Sequence, residues 1–164
     1  MRQNTIKQRL KKGDCVFGTF ANGISEELVE ILVLGGFDFV MIDSEHSCST
    51  AETNRRLLMA GESRGGNMFI RIPSKDSSSV LQSLDIGAQG ILVPQVNSVE
   101  EARQIIQNAK YYPQGMRGVA VPRASDYGLS MPISKYMLQE NDNTLIAVQC
   151  ENVKCLDSLD EITA

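Results

Sequence analysis

Two stretches decide the fold of this chain: Phe37-Asp38-Phe39-Val40-Met41-Ile42-Asp43-Ser44-Glu45-His46 and Met68-Phe69-Ile70-Arg71-Ile72-Pro73. Each is an apolar run that stops abruptly at polar, reactive side chains. A strand buried on both faces reads as continuous hydrophobics rather than as alternation. In parallel α/β folds, reactive groups gather where such strands end. The two stretches therefore predict a parallel α/β enzyme with Asp43, His46 and Arg71 at its strand ends.

Outward from these runs, strand-like and helical segments alternate. A short amphipathic helix is expected over 5–12, closed by Gly13, and a strand over 15–21. Ser25 caps a helix whose apolar side carries Leu28, Ile31, Leu32 and Leu34, and Gly35 ends it. A strand over 37–42, a helix over 50–63, a strand over 67–72, a helix over 75–86 and a strand over 90–93 follow. Ser98 caps a helix to Ala109, with Glu100 and Glu101 in its first turn, where the helix dipole favours carboxylates. A strand over 145–150 and a helix from Val153 complete the pattern. The interval between Val93 and Leu145 is twice as long as the others. A short fifth strand is expected there near Val119, with a long functional loop after it through Tyr127, Met131 and Tyr136.

Strand starts spaced in this way mark the βα rhythm of a parallel sheet. The pattern holds six βα units at most, whereas a closed (β/α)8 barrel takes about 250 residues. Residues 1–164 are read as a single domain, the N-terminal two thirds of a TIM barrel truncated at its C-terminus. A six-strand open sheet also fits the length.

Composition narrows the function. Hydrophobic residues make up 42% and charged residues 22%, an ordinary globular balance, and the net charge is −4. No dense Lys/Arg tract is present, which argues against nucleic acid or an anionic membrane as partner. The start is polar and cationic without an apolar core, so no signal peptide is expected. No apolar run nears the roughly 20 residues of a membrane span. Cys15, Cys48, Cys150 and Cys155 form no CxxC pair and read as reduced cysteines acting as small hydrophobes in a cytoplasmic protein. No GxGxxG or Walker A pattern occurs.

His46 is the single histidine. Lone histidines are commonly structural, but this one lies in a polar loop just after a strand, with Asp43 three residues away to orient or charge-stabilise the imidazole. An imidazole is the natural general base near neutral pH. Arg71 puts a charge inside an apolar run, costly unless paired. It reads either as a buried salt bridge to a neighbouring strand or as a clamp on a carboxylate or enolate. Gln149 and Glu151 are two residues apart, on one side of their strand. There a carboxylate can hold a hard divalent cation such as Mg²⁺ or Mn²⁺, although an exposed or salt-bridged glutamate reads the same way.

The run from Gly35 to His46, Ile70-Arg71-Ile72-Pro73, the run from Leu84 to Pro94, Tyr112-Pro113-Gln114-Gly115-Met116-Arg117-Gly118, Arg123-Ala124 and Gln149-Cys150-Glu151 together carry a resemblance. The chain resembles the HpcH/HpaI aldolase family, metal-dependent class II pyruvate aldolases of aromatic and sugar acid catabolism, such as 2,4-dihydroxyhept-2-ene-1,7-dioate and 2-keto-3-deoxy sugar acid aldolases. The resemblance implies a (β/α)8 barrel that reversibly cleaves 4-hydroxy-2-keto acids to pyruvate and an aldehyde. It implies a divalent metal (Mg²⁺, Mn²⁺ or Co²⁺) on Glu151, Gln149 beside the bound keto acid, and Arg71 on the keto or enolate oxygen. His46, held by Asp43, would act as acid/base through a water. It further implies a homo-oligomer, a hexamer or trimer, with Asp85 and Arg123 near a subunit boundary. The family's second acidic ligand would fall beyond residue 164; Asp157 and Asp160 are poor substitutes.

A carbon–carbon bond beside a carbonyl can be broken through a lysine Schiff base or a Lewis-acid metal. No lysine lies within an apolar strand run, so the metal route fits better. Two other readings are a citrate-lyase-type acyl-CoA lyase of the same superfamily and a truncated, inactive barrel acting as a binding module.

Overall fold

The computed structural model describes residues 3–163. Five strands, β1 (Gly18–Ala21), β2 (Phe39–Asp43), β3 (Asn67–Arg71), β4 (Gly90–Val93) and β5 (Leu145–Val148), form one sheet in the order β1-β2-β3-β4-β5. Every pairing is parallel. Helices α1 (Thr5–Lys11), α2 (Glu26–Leu34), α3 (Ala51–Ser63), α4 (Ser77–Asp85), α5 (Val99–Ala109), α6 (Ile133–Asn143), α7 (Val153–Leu156) and α8 (Leu159–Thr163) surround it. Each crossover moves one strand onward in the same direction. Right-handed crossovers of that kind put the connecting helices on one face of the sheet. This is the winding of a barrel and not of a doubly wound sheet.

The strand period of two then sorts the side chains. Val40, Ile42, Met68, Ile70, Ile91 and Val93 point to the helices and form the larger core with Val29, Leu57, Leu58 and Leu84. Met41 and Phe69 point the other way and pack with Ile6 of α1, Phe39, Leu92 and Leu145. That inner face ends, on the same period, in Asp43 and Arg71, which are register partners. Helix α1 covers the start of the inner face. Its N-cap Asn4, 1% exposed, donates through Nδ2 to Gln89 O at 2.8 Å and Asn143 O at 3.1 Å.

Gly90 is fixed by close approach. A Cβ there would collide with the Leu145 carbonyl oxygen and come within 2.8 Å of the Phe69 ring. Gly90→Ala is expected to lower stability by about 1–3 kcal/mol through overpacking, read as an earlier urea midpoint with an unchanged slope.

Several expectations are corrected. The described residues hold no strand near Val119; five strands form, not six. Val119 and Val121 are 58% and 57% exposed, in a loop. The looser segment after it contains α6, which starts at Pro132 without a side-chain cap. In α2 it is Val29, Leu32 and Val33 that face the core, while Leu28, Ile31 and Leu34 are exposed. Of the four cysteines, all free, only Cys155 is buried. Among the described residues no helix is long and apolar enough to cross a membrane.

Candidate active site

The site is built on the C-terminal ends of β2, β3 and β5 and the loop after β4. Arg71 donates from Nε to Asp43 Oδ1 at 2.9 Å and from Nη2 to Asp43 Oδ2 at 2.7 Å. The Asp43 side chain is fully buried and that of Arg71 is 14% exposed. Asp43 Oδ1 also accepts the backbone N–H groups of Glu45 (3.1 Å) and His46 (3.3 Å). Burial pushes the Asp43 carboxyl up, but Arg71 and these N–H groups outweigh it and hold the group below the ordinary carboxylate value. Asp43 hydrogen bonds raise the Arg71 guanidinium against burial, and the charges of Asp43, Glu45 and Glu151 add to the effect. The guanidinium lies 4.9 Å from the centre of the Phe20 ring.

The turn after β2 is tied down by its serines. Asp43 O accepts from the hydroxyls of Ser47 and Ser49. Ser44 Oγ accepts from Asn54 Nδ2 of α3 at 2.7 Å and from Ser49 Oγ at 3.1 Å. His46 projects from this braced turn with its side chain 71% exposed.

On the far side of the cleft, Gln149 N donates to Val93 O at 2.8 Å, extending the β4–β5 pairing by one step. Glu151 Oε2 accepts from Gln95 N at 2.9 Å, and Gln149 Nε2 donates to Glu151 Oε1 at 3.4 Å. Gln95 has a left-handed backbone, φ 55°. Such a conformation is strained for a residue with a side chain and tends to mark functional loops. Glu45, His46, Gln95, Asn97, Glu151 and Asn152 enclose a cleft of about 250 Å³. A larger cavity of about 380 Å³ lies at the opposite end of the sheet, beside Glu62, Gln89 and Arg123. The paired charges and the histidine place the candidate site in the smaller cleft.

Sequence reading and structure agree that Arg71, His46, Gln149 and Glu151 share one rim. They differ on Asp43. Its carboxylate is occupied by Arg71 and by backbone N–H groups, including that of His46, and it does not hold the imidazole. The carboxylate nearest the imidazole is that of Glu45, which the sequence reading missed, as it missed Gln95. The only available signal for Glu45 was its place inside the polar run after β2. Asp85 and Arg123 lie at the other end of the fold, where α4 ends. Arg117 donates to Asp85 at 2.6 Å, and Arg123 pairs with Glu62 and donates to Ile86 O at 3.1 Å.

Among the described residues no cluster of three or more His, Cys, Asp or Glu side chains could hold a metal. The donors present nevertheless suit a hard cation: the Glu151 carboxylate, and beside it Gln149 Oε1, which is buried without a hydrogen-bond partner.

Residues 16–164 match the sequence model of the HpcH/HpaI aldolase/citrate lyase family. This chain is a member of that family. A curated 2-keto-3-deoxy-L-rhamnonate aldolase from Escherichia coli K12 is 37% identical over 161 residues, covering 97% of this chain and 59% of that protein. The solved structure of an HpcH/HpaI aldolase from Desulfitobacterium hafniense DCB-2 superposes with a TM-score of 0.89 at 32% identity, over 96% of this chain and 61% of the other. A citrate synthase, SbnG, superposes with a TM-score of 0.84 at 30% identity, over 96% and 60%. The chain thus spans about 59% of the length of the curated relatives it matches.

Proposed function

We propose that this chain supplies the substrate-activating part of a metal-dependent pyruvate aldolase, which reversibly cleaves 4-hydroxy-2-keto acids to pyruvate and an aldehyde. One observation carries the reading: the chain's single imidazole and the Glu151 carboxylate line one cleft at the strand ends, with the Arg71 guanidinium paired to Glu45 of its wall and Gln149 beside Glu151. Arg71 adds positive charge where the keto oxygen becomes an enolate oxygen. Gln149 lies beside the keto acid. His46 takes the proton of the substrate hydroxyl as the carbon–carbon bond breaks, and its electrons pass into the keto acid half. A divalent cation (Mg²⁺, Mn²⁺ or Co²⁺), held by Glu151 with a second acidic ligand from beyond residue 164, would supply a Lewis acid.

The lysine inventory supports this route over a Schiff base. Burial lowers the Lys110 ammonium to about 8, but its Nζ donates to Asn141 O and Thr144 O, below the start of β5. That is the wrong end of the sheet for this cleft.

The deciding assay is pyruvate release from a panel of 4-hydroxy-2-keto acids, with and without EDTA. Release that EDTA abolishes and a divalent cation restores is the expected result; release unaffected by EDTA would overturn the metal assignment. The citrate synthase among the structural neighbours favours one second reading, an acyl-CoA lyase, for which a citryl thioester is added to the panel and oxaloacetate release is followed instead of pyruvate.

We also propose a cytoplasmic homo-oligomer, hexamer or trimer. In its support, the loop after α5 exposes Met116 (81%) and Leu129 (88%) together with Val119 and Val121.

A further inference from the structure

The loop between β4 and α5 reaches across to the strand end that carries Gln149 and Glu151. Val96, fully buried, donates its N–H to Gln149 O at 3.1 Å. One residue earlier, Gln95 N donates to Glu151 Oε2 at 2.9 Å. An N–H at a fixed place restricts how a carboxylate can turn, because the acceptor must meet the donor near its lone-pair direction. This N–H is delivered by a left-handed backbone, φ 55° at Gln95. A residue with a side chain persists in such a conformation only where its surroundings over-determine it. Here those surroundings are Asn97, Lys75 and Glu101. Gln95 O accepts from Asn97 Nδ2 at 3.0 Å and from Lys75 Nζ at 3.3 Å. Lys75 is paired in turn with Glu101 Oε1, and Glu101 Oε2 accepts Asn97 N at 2.8 Å. Ser98 and Glu101 have the spacing of a capping box, in which the glutamate returns to the N–H of the cap residue itself. Glu101 instead reaches one residue further back, to Asn97. Its carboxylate therefore closes a ring of contacts around Gln95 as well as starting the helix.

We propose that Glu101 is a positioning residue for Glu151: with Lys75 and Asn97 it holds Gln95 in its left-handed turn, and the Gln95 N–H placed by that turn fixes the Glu151 carboxylate for a divalent cation. The inference rests on the reading of Glu151 as the metal ligand. Groups that orient a ligating side chain without touching the ion govern its affinity by about tenfold to a hundredfold. The brace works through the backbone of residue 95 and not through its side chain. A residue that enters the left-handed region without strain makes the brace dispensable, and glycine is that residue.

The test is a titration of Mn²⁺ alone into the intact protein, with the free ion followed by electron paramagnetic resonance. It compares the wild type with Glu101→Gln, Gln95→Gly, the pair Glu101→Gln/Gln95→Gly, and Glu151→Ala. Glu101→Gln should weaken Mn²⁺ binding about tenfold to a hundredfold. Gln95→Gly keeps the N–H and relieves the strain, so its affinity should stay within about threefold of wild type. The pair decides the matter: glycine takes up the turn unaided and should restore most of the affinity that Glu101→Gln loses. Unchanged affinity in Glu101→Gln, with binding lost in Glu151→Ala, would overturn the brace and leave the metal ligand standing. A pair as weak as Glu101→Gln alone would also overturn it, because Glu101 would then act by a route other than the Gln95 backbone. Unchanged affinity in Glu151→Ala would remove the ligand itself, and the proposal with it. Thermal melting without Mn²⁺ identifies a variant that fails to fold; Lys75→Met, which breaks the same ring of contacts, then replaces Glu101→Gln, with the same results expected and the same results fatal.

Discussion

Replacing Arg71 by alanine is expected to lower pyruvate release by about 10³-fold or more and to destabilise the protein at the same time. Removing one neutral oxyanion donor already costs about 10² to 10³ in rate, and this substitution removes a full positive charge. The structural loss follows from the fully buried Asp43 side chain, which would be left without its partner. Breaking a buried pair in this way costs about 3–5 kcal/mol, a large fraction of the roughly 5–15 kcal/mol that holds a domain together. Activity and stability are separated by Arg71→Lys, which keeps the charge but loses the two-pronged geometry. It should fold better than the alanine variant and still fail in exchange of pyruvate methyl protons. Wild-type exchange in a folded Arg71→Lys protein would argue against the enolate role. The same pair sets a pH dependence. The Asp43 carboxyl is held below its ordinary value, so the stability it contributes is complete above the unfolded value of about 3.9. It disappears as pH falls through the lower folded value. Urea titrations between pH 2 and 6 should show a steeper acid limb in the wild type than in Asp43→Asn, in which Asp38, Asp76 and Glu101 still contribute one.

His46→Ala is expected to lower aldol cleavage by about 10²- to 10⁴-fold, the usual range when a general base is removed. Unlike Arg71, the imidazole is mostly exposed and makes no hydrogen bond among the described residues, its near contact being Glu45 Oε2 at 3.9 Å, so stability should stay within about 0.5 kcal/mol of wild type. Exchange of pyruvate methyl protons should continue, because the enolate side of the cleft is intact. Cleavage and exchange lost together would place His46 on the keto acid rather than on the hydroxyl.

The sheet was legible in the sequence because β2, β3 and β4 are buried on both faces and carry uninterrupted hydrophobics, with side-chain caps and glycines marking the helices between them. The register of Asp43 against Arg71 was half legible: a charge inside such a run demands a partner, but not a particular one. The segment around Val119 was not legible in this way. Its alternating apolar residues look like a strand, yet no neighbouring strand is there to accept its hydrogen bonds. Helix α6 lacks a side-chain cap, and α2 interleaves Glu26, Glu27 and Glu30 with six apolar residues spread around its axis, so its buried face could not be assigned from periodicity. Glu45 was missed for another reason. Its place near the imidazole depends on a backbone turn made by Asp43, and no spacing rule places a side chain that folds back over its own strand end.

The Asn4 contacts reach across 85 residues to Gln89 and 139 to Asn143. Nothing local can form them: β4 and the end of α6 must already be in place before the first turn of the chain has anywhere to dock. Such distant closures are slow relative to local ones. The segment around Asn4 therefore settles after β4 and α6, and until it does the mouth of the inner face opposite the cleft stands open to solvent.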